Sequence, residues 1–189
     1  PDDHVLEIGT GWGGFAAYAA THHGCRITTT TISREQHDYA QQYFRSTGLD
    51  SRIDLRLEDY RDLRGTFDKI VSIEMFEAVG ERYWGDFYRC VHDRLRPGGT
   101  AALQAITIAD QRYDAAKRSV DFIQRYIFPG SCIPSISAMC HAVKRVTDLR
   151  LIDLEDIGPH YATTLRCWRD NLMANIDKVR ALGYSEEFI

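Results

Sequence analysis

Residues 5–14 read VLEIGTGWGG, and residues 15–20 continue FAAYAA. Val5, Leu6 and Ile8 form the short apolar run expected of a strand buried on both faces, with Glu7 set inside it near its end. Gly9, Gly11, Gly13 and Gly14 follow at once, and the stretch after them reads as a helix. The unit is strand, glycine turn, helix. Glycine permits positive φ and leaves no Cβ in the way of a ligand, and the first turn of the helix offers free N–H groups to it.

The rest of the first half repeats strand and helix. A helix over 15–23 stops at Gly24, and the β-branched run 25–32 (CRITTTTI) is a second strand. Ser33 with Gln36 three residues on is a capping-box pattern, opening a helix that runs to about Arg45. Residues 53–57 and 67–73 are the third and fourth strands, 82–95 an amphipathic helix with Tyr83, Phe87, Val91 and Leu95 on one stripe, and 100–108 the fifth strand after a Pro97-Gly98-Gly99 turn. This alternation means an α/β domain, Rossmann-like, with a mostly parallel sheet and helices on both faces. Ligands bind outside the C-terminal ends of such strands, so the site segments are 9–14, 31–36, 58–60, 74–80 and 104–108. Beyond 108 the rhythm changes: helices over 113–128 and 136–145, within a 109–148 helical insertion on the substrate side, then a sixth strand over 149–157 and a long helix from His160 to about Leu182.

Gly9-x-Gly11-x-x-Gly14 fits the dinucleotide spacing, and NAD, FAD and S-adenosylmethionine (SAM) sites all use such a turn, so spacing leaves the ligand open. At 189 residues the chain fits one domain with a real core, and 11% aromatic residues supply both that core and an apolar pocket. A net charge of −4 gives no basic footprint for nucleic acid. Five scattered cysteines without zinc spacing point to reduced thiols in a cytoplasmic protein, and no metal site is expected; His160 has no partner for one. No apolar run is long enough to span a bilayer. The chain opens Pro1-Asp2-Asp3-His4 directly into a core strand, which reads as a domain truncated at both ends.

Glu7, two residues before the first glycine, resembles the acid of motif I in class I SAM-dependent methyltransferases. Further stretches resemble one family in order along the chain: TTISREQ (30–36), LEDYRDL (57–63), FDKIVSIEMFEAVG (67–80), LRPGG with LQAIT (95–107), FIQRYIFPG (122–130) and GPHYATTLRCW (158–168). Together with 5–16 they are similar to the cyclopropane-fatty-acyl-phospholipid synthases and the mycolic acid cyclopropane synthases. The resemblance implies transfer of a methyl or methylene carbon from SAM to the cis double bond of an unsaturated phospholipid acyl chain. The alkene attacks the sulfonium methyl, and a bound bicarbonate takes a proton from the resulting carbocation so that a cyclopropane closes. A greasy pocket with a few placed polar groups suits that chemistry.

Carried over residue by residue, the resemblance makes Glu77 the residue that orients bicarbonate, Tyr161 a hydroxyl reaching the same ion, Ile106 a backbone contact, and Gln104 the occupant of a position that is His in the best-known members. Gln can donate an N–H but cannot titrate. Glu7, Gly9, Gly11 and Gly13 serve the methionine part of SAM, Thr31, Ile32 and Gln36 the ribose end, and Glu58 and Asp59 the adenine amine. Tyr126 and Phe128 line the acyl pocket. The plainer readings are an exposed loop carboxylate for Glu77, a core tyrosine for Tyr161, a backbone hydrogen bond for Gln104, and core aromatics for Tyr126 and Phe128. The resemblance also implies a last antiparallel strand, between strands five and six, that the sequence does not supply, so weak or absent turnover is expected of this stretch alone. Three other outcomes stay open: methyl- or methylene-branching of the acyl chain, N-methylation of a small amine, and SAM binding without turnover. A NAD-dependent oxidoreductase lacks the acid expected at the end of strand two. A homodimer and peripheral contact with the inner membrane face are left open.

Overall fold

The apolar run at the head of the chain becomes β1 (His4–Ile8), the central strand of a five-stranded sheet. In the computed structural model, residues 2–187 and 189 are described; Pro1, and with it the reading of the chain's first residue, lies outside them, as does Phe188. The chain divides into two compact units, Pro1–Arg150 and Leu151–Ile189. The sheet belongs to the first. With β2 (Arg26–Thr31), β3 (Ile53–Leu57), β4 (Phe67–Ile73) and β5 (Leu95–Gln104), the strand order is β3-β2-β1-β4-β5 and every pairing is parallel. The order reverses between β1 and β4, which puts the glycine turn at the topological switch point, where open α/β sheets bind ligands.

Alternation along β1 divides the core in two. Leu6 and Ile8 join Phe67 and Ile70 against α4 (Trp84–Arg94), whose buried stripe is Trp84, Phe87, Tyr88 and Val91. Val5 joins Ile27 and Ile53 against α1 (Gly14–His23) and α2 (Arg34–Ser46). Ser33 caps α2 as its sequence implies, accepting from the Gln36 N–H at 3.2 Å. The small α3 (Phe76–Val79) is anchored by Phe76, whose ring stacks on Trp84 at 5.1 Å between centroids and meets Phe87 edge-on at 5.1 Å. α5 (Asp110–Ala116) and α6 (Ile136–Val146) complete the first unit.

Several boundaries differ from the sequence expectation. Strand five begins at Leu95, not at 100, because a bulge opposite Phe67–Lys69 absorbs Pro97-Gly98-Gly99 inside the ladder, with Gly98 at φ 81°. It ends at Gln104, not at 108, because the Ile106 N–H leaves the sheet for Glu77. The expected helix over 113–128 is broken. Asp121 and Gln124 cap one another's N–H groups and start a separate π-helical turn, Ile123–Ile127, and the stripe of Val120, Ile123 and Ile127 faces solvent instead of a core. Residues 149–157 form no strand, since among the described residues no strand pairs with them, and Leu151, Ile152 and Leu154 are exposed. Among the described residues the sheet therefore has five strands and ends at β5.

The second unit consists of α7 (Gly158–Ala174) and α8 (Ile176–Ala181). The single long helix expected there is interrupted at Asn175, whose side-chain amide donates to the Asn171 carbonyl at 2.8 Å and so competes with the backbone ladder.

Gly13 shows what the turn demands. It sits at φ 86°, and a Cβ there would lie 2.8 Å from two atoms of the Phe44 ring, while one on Gly14 would meet nothing within 4 Å. Gly13→Ala should therefore lower the unfolding free energy in urea by about 2–4 kcal/mol through backbone strain and overpacking, whereas Gly14→Ala should leave it almost unchanged.

Candidate functional site

The C-terminal ends of β1, β2 and β3 open onto a cavity of about 410 Å³. Its wall includes Gly9, Thr31, Ile32, Gln36, Glu58 and Asp59, six of the nine residues read from the sequence as donor-binding. The other three support it from outside. Gly11 holds φ 53°, and a Cβ on it would meet nothing within 4 Å, so its role is to let the chain turn; Gly13 is fixed by Phe44, a packing requirement and not a ligand approach. Glu7 is buried, 2% exposed, opposite Thr29 in the ladder.

Glu7 is the electrostatic centre of the turn. Thr29 Oγ1 donates to its carboxylate at 2.6 Å, and Thr10 Oγ1 lies 2.7 Å from Thr29 Oγ1. Because Thr29 has one hydroxyl hydrogen and spends it on the carboxylate, Thr10 donates to Thr29. The chain Thr10–Thr29–Glu7 thus ties the glycine turn to β2. Burial pushes the Glu7 carboxyl up to about 7, against the smaller opposing effect of the Thr29 hydrogen bond.

At the end of β2 the Thr31 hydroxyl donates to Gln36 Oε1 at 2.9 Å, pre-organising the two residues paired by the sequence reading. Ile32 beside them is largely exposed. At the end of β3 the Glu58 carbonyl accepts from the Thr30 hydroxyl. Asp59 is gripped by Arg61, whose Nε and Nη2 donate to it at 2.9 and 2.7 Å, and this holds its carboxyl below the usual range. Arg61 also lines the cavity and was not singled out from the sequence; an Arg two residues past an Asp was the available signal. Thr29 was missed too, because 28–31 (TTTT) reads only as strand propensity, and so was Thr10, which the glycines around it in the turn overshadow.

The end of β4 carries the second group. Glu77 is 8% exposed, which excludes the exposed-loop reading. Its Oε1 accepts from the Ile106 N–H, its backbone carbonyl accepts from the Cys132 N–H at 3.0 Å, and its Oε2 is buried with no hydrogen-bond partner among the described residues. The Ile106 backbone contact is therefore made to Glu77 itself. Gln104 donates its side-chain N–H to Glu74 at 2.9 Å, not to the backbone. Tyr126 and Phe128 are 64% and 57% exposed, so they are not core residues. Tyr161 lies in α7 of the second unit, its ring edge-on to Trp168 with centroids 6.0 Å apart. Among the described residues no three His, Cys, Asp or Glu side chains cluster as metal ligands would.

The arrangement fits a nucleoside-bearing cation: an open glycine turn over a buried acid, hydroxyl and amide groups at the next strand end, carboxylates at the third. The model of the mycolic acid cyclopropane synthetase family matches residues 1–189. The chain belongs to that family. Among its relatives, the tuberculostearic acid methyltransferase of Mycobacterium tuberculosis is 43% identical over 185 residues, 98% of this chain and 43% of the relative. The cyclopropane-fatty-acyl-phospholipid synthase of Escherichia coli is 37% identical over 189 residues, 100% of this chain and 46% of the relative. The chain thus spans under half the length of these two relatives. The cyclopropane synthase MmaA2 of Mycobacterium tuberculosis superposes with a TM-score of 0.88 at 25% identity, covering 100% of this chain and 69% of that one. A mycolic acid cyclopropane synthase complexed with SAH and CTAB gives 0.88 at 27% identity, covering 99% and 68%. The fold of this family member is accordingly that of a SAM-dependent methyltransferase.

Glu7 makes the stability of the fold depend on pH. Its folded value, about 7, lies above its ordinary 4.5, so the native chain keeps a proton that the unfolded chain has released. The corresponding stability is complete below 4.5, declines as the pH rises, and is gone above about 7. The span is worth roughly 3 kcal/mol. Urea unfolding across that window should show the decline, and Glu7→Gln should flatten it.

Proposed function

We propose that this chain is the SAM-binding core of an enzyme that adds a one-carbon unit to the cis double bond of an unsaturated phospholipid acyl chain and closes a cyclopropane. The observation that carries the reading is Glu77 Oε2, an acceptor buried without a donor. Leaving such an atom unpaired costs on the order of 1–3 kcal/mol, so a ligand with an O–H to give is favoured there. Bicarbonate fits: it donates one hydrogen bond to Glu77 and accepts others, and the Gln104 amide is a donor of the right kind. Gly9, Thr31, Gln36, Glu58 and Asp59 would hold SAM, which supplies an electrophilic methyl carbon. Glu7 would act from behind the turn, ordering the glycine loop against which the methionine part lies. Glu77 then keeps a weak base oriented and water excluded where positive charge develops.

A second reading, branching of the same acyl chain, is favoured by the 43%-identical relative being named for tuberculostearic acid and by Gln104 standing where the best-known members have His. The first bond formed is the same; a different proton is lost. No helix among the described residues is long and apolar enough to cross a membrane, and this reading has a cytoplasmic protein meeting the inner membrane face peripherally.

Incubation of the whole enzyme that carries this core with SAM, bicarbonate and unsaturated phospholipid vesicles, followed by mass spectrometry of the acyl methyl esters, should yield a ring or a branch. Glu77→Gln should lower kcat about 10²–10⁴-fold with SAM affinity retained. Unchanged turnover in Glu77→Gln, or in bicarbonate-free buffer, would overturn the anion assignment.

A further inference from the structure

We propose that Glu74 is a positioning residue for Gln104: it fixes which face of the Gln104 amide the site receives. The inference rests on the reading just given, in which Gln104 acts beside Glu77.

Glu74 is the one non-glycine residue at positive φ among the described residues, at 50°. L side chains rarely adopt that conformation, and glycine adopts it freely. Glu74 makes two bonds there, both to the same residue. Its N–H donates to the Gln104 carbonyl at 2.9 Å, continuing the β4–β5 ladder by one rung, as any residue would. Its side chain adds what other residues would not: Oε1 accepts from Gln104 Nε2 at 2.9 Å. An ionised carboxylate only accepts, so the amide must turn its nitrogen toward Glu74 and its carbonyl oxygen away. That leaves Gln104 one N–H and Oε1 for the site.

Two residues on, the Ile106 N–H is given to Glu77. The exit of β5 therefore clasps two carboxylates, three residues apart on the exit of β4, by a side-chain donor at one and a backbone donor at the other. Glu77 is held rigidly by Phe76 in the aromatic cluster behind it. Gln104, partly exposed and without such packing, has the Glu74 carboxylate to set its orientation. An amide free to flip would present donor and acceptor to a bound anion in turn, and half of those arrangements would be wrong.

The positive φ provides a test that separates positioning from structure. Glu74→Gly relieves the backbone, so the thermal midpoint should hold or rise and SAM affinity should stay as it is. The Gln104 side-chain amide resonances, assigned by their disappearance in Gln104→Ala, should nevertheless move to the positions of a free glutamine. In the assay of methyl transfer to unsaturated phospholipid, kcat should fall at least tenfold while the KM for SAM is kept. Glu74→Gln retains a carbonyl acceptor and should restore most of both signals. In a Gln104→Ala background, Glu74→Gly should cost nothing further. Free-glutamine amide shifts already present in the unsubstituted chain, wild-type kcat in Glu74→Gly, or losses additive with Gln104→Ala would each overturn the assignment. Glu77→Gln run alongside keeps the two claims apart. If it too is fully active, the anion-site reading fails; if it is inactive and Glu74→Gly is not, only the positioning role fails.

Discussion

A carboxylate taken out of water must be given donors or be made neutral, and this constraint organises the ligand-facing edge of the sheet twice over. Glu7, one residue from the end of the central strand, has one donor, Thr29, and moves toward neutrality. Glu77 follows the neighbouring strand with one oxygen on the Ile106 N–H and the other on nothing. The first group is completed by being part of the turn; the second is incomplete within the chain. The fold thus places two buried acids close to its switch point, and buried acids in such a place mark candidate functional sites.

The packing behind these groups is what makes them stiff. β1 hydrogen-bonds with β2 on one side and β4 on the other, so the Glu7 and Glu77 segments are set relative to one another by a continuous parallel ladder. Ser72 adds a side-chain bond to the Ile8 carbonyl at 3.0 Å, across the strands that carry them. Phe76, Trp84 and Phe87 lock the start of α3, so the backbone at Glu77 has no freedom to give its carboxylate back to water. Cys132 reaches the same point from the segment between the π-helical turn and α6.

Much of this was legible in the sequence, for a physical reason. Period-two and period-3.6 apolar patterns report burial against a partner, and β1 to β5 have partners, so five strands and the helices between them could be read from 5–108. The same reasoning misplaced 149–157 and 113–128, where the apolar pattern exists but no surface within the described fold receives it. The strand ends named the segments that hold Gly9, Gly11, Gly13, Thr31, Gln36 and Glu77, and the family resemblance singled out Thr31, Gln36 and Glu77 within them. Thr10, Thr29 and Glu74 could not be named, since their roles come from what lies opposite in space: Thr29 faces Glu7 across a ladder, and Glu74 meets Gln104 thirty residues away.

The most direct test of the central claim is a crystal structure grown with SAM and bicarbonate. The expected result is a nucleoside in the cavity between Gly9, Thr31 and Asp59, and a small anion within hydrogen-bond distance of Glu77 Oε2. A structure in which that oxygen is capped by a donor of the protein itself, with the nucleoside bound elsewhere, would contradict it.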